Sequence, residues 1–315
     1  MALHQLIIAT RGSKLALWQS EHIKAHLLEL YPHLEVTLNV IVTKGDKILD
    51  TPLALIGGKG LFTKEIDEAM LAGEAHISVN SLKDVPVELP AGIVMAAVTT
   101  REDVRDMMLS EKYASIEELP KGAIIGTTSL RRRMMLLAMR PDLTIHDLRG
   151  NVDTRIQKLK NGEFDAIILA SAGINRLGLN EAVTYATPIE MLFSIPSMGQ
   201  GALAINAIDE PEILALLAPL DDAIARAETQ IEREFVAALE GGCQVPIGIN
   251  ATVLENDDIL VKSVLGLPNG RDLMRQTKVV KRGKHAGFGT LMAQELIDRG
   301  AKELLAQASA IAFKE

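Results

Sequence analysis

Short aliphatic runs alternate with amphipathic stretches of helical period along the first half of the chain. Residues 6–9 form an aliphatic run that predicts a strand. Residues 14–30 then carry Leu17, Ile23, Leu27, Leu28 and Leu30 at helical spacing, closed by Pro32. Residues 36–42 alternate as a strand does, 64–71 predict a helix that stops near Gly73, and 75–79 predict another strand. The same grammar restarts at Ala123: strand 123–125, helix 129–139, strand 144–147, helix 152–160, strand 166–170. Strand–helix–strand units repeated in this way predict mainly parallel sheets with ligands at the carboxyl ends of the strands.

The two runs of units are separated by the charged stretch 99–105, and a second crossing is expected at 193–202, which carries Pro196, Gly199 and Gly201. Two crossings make a hinge between two α/β domains facing a cleft. Beyond them come a helix at 223–239, strand-like runs at 247–254, 259–265 and 277–280, and a closing helix at 290–306, the grammar of a small α+β domain. The boundaries read as 1–99 plus 200–218, 100–199 and 219–315 for the first, second and third domains. No internal sequence repeat stands out.

Composition narrows the function. At 315 residues and 48% apolar the chain can bury real cores. Its net charge of −8 disfavours a general nucleic-acid or anionic-membrane binder, so a basic site must be local. Six Phe, three Tyr and one Trp leave little for base stacking or an interfacial belt. One cysteine, Cys243, excludes an intrachain disulfide and a multi-cysteine metal site. With no basic, apolar leader and no apolar run near the ~20 residues that span a bilayer, a cytoplasmic, soluble protein is expected.

Arginines recur just after strands, where loops enter helices: Arg11 with Ser13, Ser129 with Arg131 and Arg132, Arg149 with Arg155, and Arg176 one helix later. Free N–H groups at a helix start, together with a guanidinium, make a carboxylate or phosphate site. Neighbouring guanidiniums ~4 Å apart repel by about 4 kcal/mol at an effective dielectric of 20, so without an anion such clustering is costly. A polyanionic ligand answers it; solvated arginines paired with acidic neighbours are the alternative.

Lys83 and Asp84 stand in Ser81-Leu82-Lys83-Asp84-Val85-Pro86, at the end of the strand 75–79. A carboxylate there can stabilise a developing cation, or simply close an Asx turn. The glycine-rich stretch 43–60, with Asp46 and Lys59, does not match a phosphate loop and reads as a lid or a plain surface loop. Cys243, flanked by Gly241 and Gly242, reads as a buried small hydrophobe or an exposed thiolate. His22 and His26 lie four apart on a helix without further ligands, and no metal site is expected.

Assembled, these residues resemble the porphobilinogen deaminase (hydroxymethylbilane synthase) family. The segments that carry the resemblance are collinear: ATRGSKLALWQ from Ala9, TKGD from Thr43, GGKGLF from Gly57, SLKDVP from Ser81, GTTSLRR from Gly126, LRGNVDTR from Leu148, RLGL from Arg176, GQGA from Gly199 and EGGCQVPIG from Glu240. It weakens beyond about Asn250.

The resemblance implies two domains like type-2 periplasmic binding proteins flanking a cleft, plus a small C-terminal α+β domain. It implies a dipyrromethane cofactor joined by a thioether at Cys243. Four porphobilinogens are then added head to tail, with loss of ammonia, to give hydroxymethylbilane for heme biosynthesis. Arg11, Ser13, Lys83, Ser129, Arg131, Arg132, Arg149, Arg155 and Arg176 fall where that family binds carboxylates, and Asp84 where it stabilises pyrrole cations. Asp46 and Lys59 belong to the lid reading. A monomer is expected, acting on porphobilinogen and the growing polypyrrole, without nucleic acid or membrane. The chain departs from the family at Asn80, usually histidine, and at Asn206, commonly glutamate. A non-catalytic anion-binding protein on the same two-domain frame is the rival reading; it needs neither Cys243 nor a third domain.

Overall fold

A computed structural model describes residues 3–47, 60–241 and 245–312. The described residues form two compact units. One takes the chain up to Arg101 together with Ala202–Arg226, the other Glu102–Gly201 and the chain from Ala227 on.

The first unit is built on a five-stranded sheet of order β2-β1-β3-β10-β4. Its strands are β1 (Gln5–Arg11), β2 (Glu35–Ile41), β3 (Ile77–Ser81), β4 (Ile93–Val98) and β10 (Leu203–Ile208). On one face Leu6 and Ile8 of β1, Ile77 and Val79 of β3, and Leu203 and Ile205 of β10 pack on Ile23 and Leu27 of helix α1 (Lys14–Leu30). Alternate residues turn to the other face, where Ala9 meets Ile66 and Met70 of helix α3 (Lys64–Leu71). Each fully buried Leu or Ile contributes about 1.5–3 kcal/mol, so both faces are needed to hold a sheet of this width. A short helix α2 (Lys44–Lys47) precedes α3, and α7 (Pro211–Leu217) follows β10.

In the second unit the sheet order is β7-β6-β8-β5-β9. The strands are β5 (Asp106–Ser110), β6 (Ile124–Gly126), β7 (Thr144–His146), β8 (Ala166–Ala170) and β9 (Tyr185–Pro188). Helices α4 (Leu130–Met139), α5 (Val152–Lys160) and α6 (Ser171–Arg176) follow β6, β7 and β8. Met108, Ile125 and Ile168 face Leu136 of α4, while Met107, Leu109, Ile167 and Leu169 face Ile156 and Leu159 of α5.

The expectation of mainly parallel sheets is corrected. Each sheet has two parallel junctions and two antiparallel ones. The antiparallel partner in the fourth position, β10 or β5, is the strand that follows each chain crossing. Leu203 pairs with Ser81 and Asp106 with Ala170, so both strands begin at the edge where the parallel strands end. The chain thus leaves and enters both sheets at their carboxyl edges.

A third, antiparallel sheet, β11-β12-β13, is formed by Ile247–Val253, Asp258–Leu265 and Met274–Lys281. Helix α8 (Ala223–Ala238) covers its edge: buried Glu232 accepts the backbone N–H of Ala251 at 2.9 Å, and Glu228 that of Val253 at 2.8 Å. Two carboxylates thereby satisfy N–H groups that an open edge strand would leave bare. Helices α9 (Phe288–Ile297) and α10 (Ala301–Ala312) complete this α+β part. They replace the single closing helix expected at 290–306, because Gly300 turns at φ +91° and ends the helical register.

Gly289 lets α9 close onto α8: a Cβ there would run into the carbonyl of Ile231 and lie 2.8 Å from the backbone nitrogen of Phe235. Gly289→Ala is expected to lower the unfolding free energy by about 1–3 kcal/mol in a denaturant titration. Asp67 of α3 is 6% exposed with one carboxylate oxygen unpartnered, and burial pushes its carboxyl from 3.8 up to about 6. The penalty this places on folding is absent below about 3.8, grows as the pH rises from there and is complete above about 6. Asp67→Asn is expected to be more stable than the parent by about 1–3 kcal/mol at pH 8, an advantage that vanishes by pH 4.

Candidate functional site

In the first unit β1 and β3 run parallel, so their ends bring two sets of expected residues to one sheet edge. Arg11 is the last residue of β1. Its guanidinium donates from Nε to Asp46 Oδ1 at 3.1 Å, makes a second, closer contact through Nη2, and lies 4.3 Å over the ring of Phe62. Asp46 also accepts from the Thr43 hydroxyl at 2.8 Å and the Thr43 N–H at 3.1 Å. Burial would raise the Asp46 carboxyl, but the hydrogen bonds from Arg11 and Thr43 and the charge of Arg11 hold it below its ordinary value. Ser13 caps α1, its Oγ accepting from the Ala16 N–H at 3.3 Å.

Beyond the end of β3 a 3-10 turn, Leu82–Asp84, is pinned by its one buried residue: Leu82 packs with Val85, Val98 and Ala204, and its N–H donates to the Ala202 carbonyl at 3.0 Å. Lys83 is half-buried. Asp84 is exposed and accepts no hydrogen bond from any described residue. Gln19 of α1, 3% exposed, donates to the Ser81 hydroxyl at 2.8 Å and fixes the start of the turn.

In the second unit β6, β7 and β8 are parallel, and their ends carry the remaining arginines. Ser129 caps α4, its Oγ accepting from the Arg132 N–H at 3.4 Å. Arg131 and Arg132 are 3% and 8% exposed and converge on Asp106, which is fully buried. Arg131 donates to Asp106 at 2.7 and 3.0 Å, and Arg132 donates from Nε at 2.9 Å. Burial works to raise the Asp106 carboxyl, and the charges of Arg131 and Arg132 overcome it, holding the group far below the usual carboxylate range. Arg131 Nε is buried without a partner among the described residues.

Arg149 and Arg155 flank Gly150, whose φ of +113° and tight approach to Thr154 admit no side chain. Arg155 donates from Nε to the Gly150 carbonyl at 2.7 Å, so the glycine turn shapes the arginine's position. Arg176 ends α6 and donates to the Gly201 carbonyl at 2.6 Å; burial pulls its guanidinium down to about 10 against the opposing charge of Glu102.

Cys243 and Lys59 lie outside the described residues, as does most of the stretch read as a lid. Sequence reasoning missed Asp106, together with Ser194 and Gln200, which donate to it at 2.7 and 3.1 Å. The available signal was the arginine cluster itself: two guanidiniums brought into a core require a carboxylate beside them. Phe62 was missed too, having no spacing that ties it to Arg11. Asn80 and Asn206 are both buried; Asn80 donates to the Ser78 hydroxyl at 3.1 Å, while neither amide atom of Asn206 has a partner among the described residues. Among the described residues no helix is long and apolar enough to cross a membrane, and no group of three or more metal-ligating side chains occurs.

A family model described as "Porphobilinogen deaminase, dipyromethane cofactor binding domain" matches residues 6–215, and one described as "Porphobilinogen deaminase, C-terminal domain" matches 227–298. Proteins named porphobilinogen deaminase resemble the chain along almost its whole length. The one from Sulfurimonas denitrificans is 59% identical over 309 residues, covering 98% of this chain and 99% of that protein. That from Nitratiruptor sp. is 58% identical over 311 residues, with 99% of each covered. The one from Aliarcobacter butzleri is 54% identical over 312 residues, with 99% and 100% covered. Among solved structures, a TRAP periplasmic solute binding protein from Desulfovibrio salexigens is 13% identical with a TM-score of 0.43, covering 70% of this chain and 73% of that one. Matched by both family models and by relatives above half identity, the chain belongs to the porphobilinogen deaminase family.

Proposed function

We propose that Asp84 is the catalytic carboxylate, that Cys243 carries the cofactor, and that Arg11, Ser13, Lys83, Ser129, Arg131, Arg132, Arg149, Arg155 and Arg176 hold pyrrole carboxylates. The reaction itself follows from family membership: the chain is a transferase that polymerises porphobilinogen for tetrapyrrole biosynthesis, and its cofactor is dipyrromethane. The rival reading of a non-catalytic anion-binding protein is set aside with it.

The observation that carries the site assignment is the placement of cations at the carboxyl edges of the parallel strands. Every pyrrole ring of substrate or cofactor bears an acetate and a propionate, and the donor set here is one of guanidiniums, an ammonium and cap hydroxyls. The donors fit that chemistry: two arginines share one carboxylate, and a buried guanidinium N–H stands without a partner among the described residues. With a single cysteine in the chain, a thioether has Cys243 alone to form on. The bound dipyrromethane supplies the pyrrole carbon to which the first substrate is joined.

Asp84 supplies fixed negative charge. When ammonia leaves porphobilinogen, positive charge spreads onto its pyrrole nitrogen, and a carboxylate preorganised beside it lowers the barrier. The 3-10 turn that Leu82 anchors holds Asp84 at the sheet edge, with no described neutralising partner to dilute its charge. Lys83 and Arg11 at the same edge bind side-chain carboxylates and orient the ring. Asp46, paired with Arg11, and Lys59 are assigned to a lid.

The proposed domains are 1–99 with 200–218, 100–199, and 219–315, each resting on one of the three sheets. A protein that uses neither membrane nor nucleic acid is proposed from the charge of −8 and the scarcity of aromatics, a cytoplasmic location from the lone cysteine, and a monomer from family membership alone.

The intact mass of the denatured protein tests the attachment. The parent is expected to carry two linked pyrrole units, and Cys243→Ser to show the bare chain and no turnover; a cofactor-bearing serine variant would refute the assignment. Asp84→Asn is expected to keep the cofactor mass while turnover falls by about 10²–10³-fold, the effect of losing one preorganised group worth roughly 3–4 kcal/mol. Turnover within a few-fold of the parent would remove Asp84 from the mechanism.

A further inference from the structure

The second chain crossing meets the third sheet at one carboxylate. Glu232 of α8 is fully buried, and its two oxygens go to different parts of the chain: Oε1 accepts the N–H of Ala251 in β11 at 2.9 Å, and Oε2 accepts the N–H of Gly199 at 2.6 Å. Capping the edge of β11 needs only the first bond, as Glu228 does for Val253 one helical turn earlier. The second bond reaches a segment 33 positions away. That segment lies along β11 at two more points: the Pro196 carbonyl accepts the N–H of Ile249 at 2.9 Å, and a Cβ at Gly248 would stand 2.7 Å from the Ile195 carbonyl oxygen. All these residues belong to the second unit, which takes the crossing as far as Gly201.

Gly199 stands in the turn 198–201 with φ +67°, the left-handed conformation that glycine adopts without strain. Two residues on, the Gly201 carbonyl accepts from Arg176 at 2.6 Å and from the N–H of Glu102 at 3.1 Å. One short turn therefore has Glu232 at one end and Arg176 at the other. On the far side of Glu232, α8 ends at Ala238 and β11 begins at Ile247, so the two elements that its carboxylate joins are those that flank Cys243 in sequence. These flanks approach closely: a Cβ on Gly241 would lie 2.9 Å from Ile247 Cδ1.

Two N–H groups from separate segments can share one side chain only if it offers two acceptor oxygens and no donor, which is the inventory of a carboxylate. An amide of the same shape has one acceptor and would turn its NH2 on the other N–H. We propose that Glu232 is a positioning residue for the transfer reaction, fixing the turn that holds Arg176 against the helix and strand that flank Cys243. The proposal rests on the roles given above to Cys243 and Arg176. Glu232 acts through the turn and not on the substrate: it makes the place of the cofactor's attachment segment and the place of one carboxylate-binding guanidinium depend on each other.

The test uses the holoenzyme with a limiting dose of porphobilinogen, followed by intact mass of the denatured protein, which counts the rings attached to the chain. Glu232→Gln keeps the shape and removes one acceptor. It is expected to keep the cofactor mass, to raise KM about tenfold and to shift the ladder of ring counts toward short species, while peptides covering 195–203 exchange their amide hydrogens about tenfold faster than in the parent. Glu228→Gln removes the neighbouring cap on β11 and is the structural control, with KM and ladder expected within about twofold of the parent. A folded Glu232→Gln with the parent's KM and ladder overturns the proposal, and so does a Glu228→Gln that shifts both as far. If Glu232→Gln does not fold, the parent decides: loading it with porphobilinogen is expected to slow exchange in 195–203 and in 247–253 together, and anything short of slowing in both overturns the proposal. Arg176→Leu separates the underlying reading: the parent's KM and ladder there refute carboxylate binding by Arg176, whereas altered values beside an unaltered Glu232→Gln refute the positioning role alone.

Discussion

An acidic chain that must hold a polycarboxylate can do so only by concentrating its cations, and the carboxyl edge of a parallel sheet is where that concentration costs least. At such an edge helices begin, so free N–H groups already favour an anion, and each added arginine strengthens the same site. Arg11 and Lys83 stand at one such edge; Arg131, Arg132, Arg149, Arg155 and Arg176 stand at the other. The overall charge of −8 is then no obstacle, because the field a ligand meets within a Debye length of about 8–10 Å is set by these residues and not by the sum.

Holding several cations together without their ligand is a separate problem, and the two units meet it differently. Arg11 is covered by Asp46, itself held by Thr43, and by the ring of Phe62. That pair is about one-fifth to one-quarter exposed, so solvent reaches it. The Asp106 cluster is buried, and its bonds are too many to be exchanged at once. On the proposed site assignment, a ligand can displace the first arrangement, whereas it can only add to the second.

Much of the fold was legible because its helices and the parallel strands are marked by their period or by short aliphatic runs. Helices at 14–30, 64–71 and 152–160 and the strand at 166–170 stand where the pattern placed them. The strands β4, β5, β9 and β10 were not read. β10 is Leu-Ala-Ile-Asn-Ala-Ile, buried on both faces except at its last residue, so no polar alternation marks it. β5 begins with a buried aspartate, which reads as loop. The doubled strand order of the two five-stranded sheets was equally invisible, since pairing topology leaves no repeat in the sequence. Site residues at strand ends were legible by type; Asp106 was not, because its meaning lies in partners 25, 26, 88 and 94 positions away.

Asn80 and Asn206, the two departures from the family pattern, form one change in space. β3 and β10 are antiparallel with Asn206 opposite Ser78 and Asn80 opposite Ala204, which puts both asparagines on the same face as diagonal neighbours. The family's histidine and glutamate at these positions are ionisable groups of opposite charge. Removing one alone would leave the other charged in a site where Asn206 is fully buried and Asn80 nearly so, whereas exchanging both for amides leaves no charge to strand. Asn80 still donates to Ser78. It lies one residue before Ser81 and the turn that carries Asp84, yet it cannot take up or release a proton. On the role proposed for Asp84, any proton movement beside it proceeds in this chain without a titratable side chain at position 80.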